Sequence, residues 1–261
     1  MPRVPVITTG IDTTSLSEAC HTIYQWSQES QRSRYVVASN VHVVMTAYGD
    51  WQYQQVLAEA DLVTPDGMPL VFALRLLGYK SQTRVAGPDL MWQFCRDYSH
   101  VPIFLYGSDP QTLEALTARL KQHFPQLAIA GSYAPPLWQR EREPTYPHLQ
   151  ADLELIAQSS ARVVFVALGC PKQELWMHQA VAVCPRPLVF VGVGAAFAIH
   201  SGRVRRAPRW MQAIALEWLF RLLQEPRRLW RRYLVYNPLF LLLFTAQLLQ
   251  RLFAKPRSVE R

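Results

Sequence analysis

Residues 162–174 read RVVFVALGCPKQE. After Arg162, six apolar residues, mostly branched or aromatic, form a short run to Leu168; Gly169, Cys170 and Pro171 interrupt it, and a segment of helical period follows at 173–181. A continuous apolar run bounded by turn residues is what a strand covered on both faces needs, and the helix behind it makes half of a βαβ unit. Working outward, similar runs stand at 35–39, 62–64, 102–106, 127–133 and 188–193. Helix-period segments lie between them at 41–47 (with a continuation), 69–77, 110–124 and 148–159. Ser108 or Asp109 caps the 110–124 segment, with Pro110 at its first helical position. This alternation predicts an α/β fold, a mostly parallel sheet with helices on both faces, whose ligands bind beyond the carboxyl ends of the strands.

The loops after those runs hold the polar residues. Asn40 follows the first, Pro65-Asp66-Gly67 the second and Gly107-Ser108-Asp109 the third; Lys172, Gln173 and Glu174 follow the fifth and Gly192-Val193-Gly194 the sixth. Asp66 is the carboxylate best placed to take a proton from an attacking hydroxyl, and Gly67 lets a ligand approach the backbone. Pro-Asp-Gly is equally a turn or N-cap sequence. Gly107 and Gly192 sit where backbone amides would face a phosphate, or simply make tight turns. Lys172 is a candidate phosphate ligand and Gln173 a candidate for a sugar or base edge, unless both merely solvate a first helical turn. Arg84, in R-V-A-G-P-D, adds a cation in a turn. The glycine fingerprint of dinucleotide-binding folds is incomplete, because Phe197 stands at its third glycine; no G-K-[ST] and no rim D-x-D occurs either. Neither a cofactor nor a metal ion is expected.

Charge divides the 261-residue chain. Residues 1–200 hold 14 Lys and Arg against 16 Asp and Glu, whereas residues 201–261 hold 13 against 3. The expected organisation is a core at 1–200 and an Arg-rich helical appendage at 201–261. Its basic block consists of Arg203, Arg205, Arg206, Arg209, Arg221, Arg227, Arg228, Arg231 and Arg232, and residues 233–250 behind them carry no charge. On one continuous helix Arg221, Arg228 and Arg232 project from the same side, although Pro226 interrupts the pattern. A solvated face, a nucleic-acid surface and a phosphate clamp beside a membrane are the available readings. The apolar neighbour favours the membrane, and the tryptophans at helical spacing match no nucleic-acid module. Residues 234–250 are short for a span and are interrupted by Asn237-Pro238 and Gln247, so an interfacial helix fits better than a crossing one or plain internal packing. The start MPRVPVITTG has no apolar core for a secretory signal, which predicts a cytosolic protein. The four cysteines show no metal spacing and read as reduced, structural thiols. A Pro-rich loop around 135–147 is the only compositional oddity before residue 200.

Seven pieces in order resemble the WecG/TagA/CpsF family of bacterial glycosyltransferases. They are Ser39-Asn40, TPDGMP at 64–69, RVAGPDL at 84–90, GCPKQE at 169–174, GRVRRAP at 202–208, EWLFRL at 217–222 and EPRRLWRRY at 225–233. The resemblance implies a Rossmann-like core with a C-terminal appendage. It also implies metal-independent transfer of a sugar, typically N-acetylmannosamine or its uronic acid, from a UDP donor to a polyprenyl-diphosphate-linked acceptor. Such enzymes work peripherally at the cytoplasmic face of the membrane, in cell-surface polysaccharide synthesis. On that resemblance Asp66 is the catalytic base, and Asn40, Arg84 and Gln173 surround the sugar and diphosphate. Arg221, Arg228 and Arg231 are then the arginines that close over the diphosphate. One departure is Ala38, where related enzymes often carry threonine; Ser39 should face the other side of its strand. The competing readings are another nucleotide-binding enzyme, such as an NAD-linked oxidoreductase, and a non-enzymatic basic membrane adaptor. The sequence is silent on oligomeric state.

Overall fold

A computed structural model describes residues 1–29, 31–139 and 145–253, apart from the side chains of Arg209 and Ala213. The middle of the Pro-rich loop (140–144), the Arg209 side chain and appendage residues 254–261 lie outside the described residues. The chain opens with a hairpin of β1 (Arg3–Val6) and β2 (Thr9–Asp12). Next comes α1 (Leu16–Gln28), which starts at a capping box in which Ser15 and Glu18 exchange hydrogen bonds. β3 (Arg34–Ser39), α2 (Val41–Gly49), α3 (Trp51–Ala58) and β4 (Leu62–Pro65) follow, then α4 (Met68–Leu76), α5 (Gly87–Asp97) and β5 (Ile103–Gly107). α6 (Pro110–His123), β6 (Ile129–Tyr133), α7 (Leu149–Gln158), β7 (Val163–Ala167), α8 (Lys172–Val183), β8 (Val189–Gly192) and α9 (Ala196–His200) complete the core. Beyond it are α10 (Arg209–Ala213), α11 (Glu217–Gln224), α12 (Pro226–Trp230), a π-helical turn at Arg231–Val235 and α13 (Tyr236–Phe253).

Six strands form one parallel sheet in the order β4-β3-β8-β7-β5-β6. Alternate side chains feed two separate cores. Tyr35, Val37, Val164, Val166 and Phe190 pack with α2, α3, α4, α7, α8 and α13, whereas Val36, Val163, Phe165, Val189 and Val191 pack with α1, α5, α6 and α9. Covering both faces explains why these strands read as unbroken apolar runs. Each large apolar side chain so buried contributes roughly 1.5–3 kcal/mol. The expected α/β architecture is present, with its expected strands within one or two residues of those observed. The hairpin, α1 and α5 were not expected. Gly87-Pro88 looks like a turn in sequence but forms the first turn of α5, where proline's missing N–H does no harm.

The helices beyond residue 208 fold back on the core. Phe240 and Phe244 are buried against it, with their rings stacked 5.9 Å apart. Gln247 clasps the hairpin, accepting from the Ile7 amide and donating to the Pro5 carbonyl, both at 2.8 Å. The opposite side keeps Leu234, Leu241, Leu242, Leu249 and Leu252 exposed. The run Pro226–Phe253 has the length and composition of a membrane-crossing helix, yet one of its faces is packed on protein.

Candidate active site

The parallel register fixes the floor of the site. Ser39 lies opposite Pro65, and the Asp66 amide donates to the Ser39 carbonyl at 2.7 Å, so Asn40 and Asp66 emerge side by side from neighbouring strands. The Asn40 side chain caps α2, accepting from the His42 and Val43 amides at 3.1 and 3.4 Å; its NH2 is left for a ligand. Gly67 caps α4 without a side chain. From the first turn of α8, Gln173 reaches across to accept from the Gly194 amide at 3.1 Å. The amino-terminal ends of α2, α4 and α8 therefore gather at one rim, where their dipoles favour an anion.

This rim is the floor of a cavity of about 760 Å3 whose other wall comes from residues beyond 200. Asn40, Asp66, Gly67, Arg84 and Gln173 line it from the core, and Arg221, Arg228 and Arg231 line it from the appendage. Asp66 retains 20% of its side-chain surface. Burial, with the Glu217 charge adding to it, pushes the Asp66 carboxyl above its ordinary value against the pull of Arg84. Arg84 donates through Nε to the Asp66 carbonyl at 2.5 Å, and its Nη2 stands 3.5 Å from Oδ1. His42 also lines the cavity, stacked on Tyr236 at 5.6 Å; burial and the Arg232 cation push its imidazole down to about 4, so it is neutral at pH 7.

Four of the residues singled out from sequence stand behind the cavity wall. Lys172 Nζ donates to the Trp138 carbonyl at 2.5 Å, tying down the Pro-rich loop. Glu174 is fully buried beneath Gln173, accepting its amide at 2.7 Å. A Cβ on Gly192 would stand 3.1 Å from Gln173 Nε2, and one on Gly107 2.7 Å from the Ala167 carbonyl, so these glycines make room for protein. Three consecutive residues opening a helix point about 100° apart, and only Gln173 of 172–174 faces in.

The arginine block is partitioned in the same way. Arg203 pairs with Asp109 at 2.7 Å, and Arg206 forks onto Asp89 at 2.5 and 2.6 Å. α11 and α12 are separate helices broken at Glu225, as Pro226 foretold. Within the π-helical turn Arg231 is exposed, 6.0 Å from the Trp230 ring, while the half-buried Arg232 faces the cavity over Tyr233. Glu217 and Trp218, from the EWLFRL stretch, also line it; neither residue type stood out as ligand chemistry. Ala38 lines the cavity and Ser39 does not, as strand alternation requires. Among the described residues no group of three or more His, Cys, Asp or Glu is placed to hold a metal ion.

Residues 4–254 match the glycosyl transferase WecG/TagA/CpsF family. Among curated proteins, the chain is 34% identical over 208 residues to the N-acetylglucosaminyldiphosphoundecaprenol N-acetyl-beta-D-mannosaminyltransferase of Bacillus spizizenii, a match covering 79% of this chain and 77% of that protein. The enzyme of the same name from Bacillus subtilis strain 168 is 33% identical over 201 residues, covering 75% and 73%. These matches set aside the oxidoreductase and adaptor readings. A two-faced parallel sheet, a polar rim at its carboxyl end and these relatives lead to one conclusion: the chain belongs to the WecG/TagA/CpsF family of glycosyltransferases, and it is a sugar-transferring enzyme.

Proposed function

We propose that this enzyme moves an N-acetylmannosamine-type sugar from a UDP donor to a polyprenyl-diphosphate-linked N-acetylglucosamine, with inversion and without a metal ion. The observation that carries the reading is Asp66 on the floor of a cavity whose opposite wall is arginine. The relatives' names specify a β-linked mannosaminyl product. From an α-linked nucleotide sugar a β product requires a single in-line displacement. Asp66 removes the proton of the acceptor hydroxyl as that oxygen attacks the anomeric carbon. The bond to UDP breaks on the opposite side, and the charge developing on the departing diphosphate meets Arg84, Arg221, Arg228, Arg231 and Arg232. Asn40 and Gln173 hold the sugar. Raised above its ordinary 3.8, Asp66 is a better base than a solvated carboxylate.

The acceptor's polyprenyl tail calls for contact with lipid. The apolar side of α13, with the exposed Trp230 and Leu223, supplies an interfacial surface that leaves the soluble body on one side of the membrane. The test incubates the full chain with several UDP-sugars and a short-chain lipid-diphosphate N-acetylglucosamine, identifying product and anomer by mass and NMR. A β-linked disaccharide formed from UDP-N-acetylmannosamine, and lost in Asp66→Asn while thermal unfolding is retained, supports the proposal. No transfer from any UDP-sugar, or retained turnover in Asp66→Asn, refutes the donor or the base respectively.

A further inference from the structure

A carboxylate in the wall of a diphosphate cavity is out of place unless cations hold it, and Glu217 is such a carboxylate. Its Oε2 lies 2.7 Å from Arg84 Nη1 and its Oε1 3.8 Å from Arg206 Nε. Arg206 is itself fixed bidentately on Asp89, and Arg84 faces Asp66 with its remaining edge. Three carboxylates thus share two guanidinium groups, with Arg232 a third cation acting on Asp66 from farther off. No described side chain of α11 is fully buried, and Glu217 carries the ion pair that joins this helix to Arg84 of the core.

We propose that Glu217 is a positioning residue for the transfer: it divides the Arg84 cation between itself and Asp66, and so ties the docking of α11 to the basicity of the catalytic carboxylate. The inference rests on the assignment of Asp66 as base. The charged groups facing Asp66 are Arg84 and Asp89 from the core, with Arg206, Glu217 and Arg232 from beyond residue 200. Among them Glu217 pushes the Asp66 carboxyl up and Arg84 pulls it down. Without the Glu217 charge Arg84 turns wholly to Asp66, which becomes a weaker base that ionises at lower pH.

The test measures kcat and kcat/KM against pH for the full chain and for Glu217→Gln, whose amide oxygen still accepts from Arg84. The expected result is an acid limb of kcat/KM moved to lower pH by on the order of half to one unit, with kcat lowered about tenfold. Glu217→Asp keeps the charge and should keep the limb near its wild-type position. Asp89→Asn removes a second negative charge at a core residue and leaves the sequence of α11 intact, and should move the limb in the same direction if Glu217→Gln fails to fold. A limb that stays in place in whichever of these two variants folds overturns the proposal. Absence of wild-type turnover, or activity in Asp66→Asn, instead refutes the function or the base on which it rests.

Discussion

Glu174→Gln should make the protein's stability less sensitive to rising pH. Glu174 is 0% exposed; one carboxyl oxygen takes the Gln173 amide at 2.7 Å, and the other is buried with no hydrogen-bond partner. Among the described residues no Lys or Arg lies within salt-bridge range of it, and burial pushes its carboxyl above the ordinary 4.5 against the Gln173 hydrogen bond, the nearby Tyr53 hydroxyl and the distant Arg232. Below pH 4.5 the group is protonated in folded and unfolded chains alike, and its contribution is fully present. As pH rises towards the folded value, the unfolded chain releases the proton and the native one keeps it. Stability then falls by about 1.4 kcal/mol per pH unit from this group alone. Glutamine does not titrate, and its amide oxygen can still accept from Gln173. The stability of Glu174→Gln minus that of wild type should therefore be flat at about pH 4 and climb by about 1.4 kcal/mol per unit above it, until the folded group ionises. Asp66, also raised, is common to both chains and cancels. Urea unfolding from about pH 4 to about pH 8 reads the difference directly. A difference that does not change with pH would show that Glu174 is ionised in the fold, and the argument would fail.

Other consequences are as direct. Gly107→Ala places a Cβ 2.7 Å from the Ala167 carbonyl at φ +114°, so it should lower stability by about 1–3 kcal/mol; an unchanged unfolding midpoint would contradict the close approach. Arg232→Gln should depress kcat by about 10- to 100-fold, whereas Arg227→Gln, an exposed position outside the cavity, should act as wild type; equal kinetics in the two would remove Arg232 from the site. Phe240→Ala should weaken docking of α13 by about 3–5 kcal/mol, read as lost hydrogen-exchange protection in that helix while the sheet stays protected.

The two-sided sheet was legible because strands buried on both faces need unbroken apolar runs, and 163–167 and 189–192 have them. The hairpin was not, because Arg3–Val6 alternates exposed and buried residues around a proline over only four positions. The rim was legible for the complementary reason: polar residues directly after apolar strands have nowhere to go except the carboxyl edge. What adjacency in sequence conceals is direction. Lys172, Gln173 and Glu174 are consecutive and end in a loop tether, the cavity and the core. Glu217 drew no separate reading from sequence, because its partners Arg84 and Arg206 come from other parts of the chain.

The π-helical turn at Arg231–Val235 has a consequence for how the chain can vary. Each residue advances a helix by about 100°, and a π-turn absorbs one extra residue. At and just upstream of it the helical run presents Arg228, Arg231 and Arg232 to the cavity, and downstream it presents Phe240 and Phe244 to the core. The turn is thus a phase adjuster between two surfaces that must both face inward. Deleting the extra residue would close the turn into regular α-helix with both surfaces still facing inward, whereas any further deletion or an insertion would rotate one of them outward by about 100°. In this stretch the count of residues matters as much as their identity.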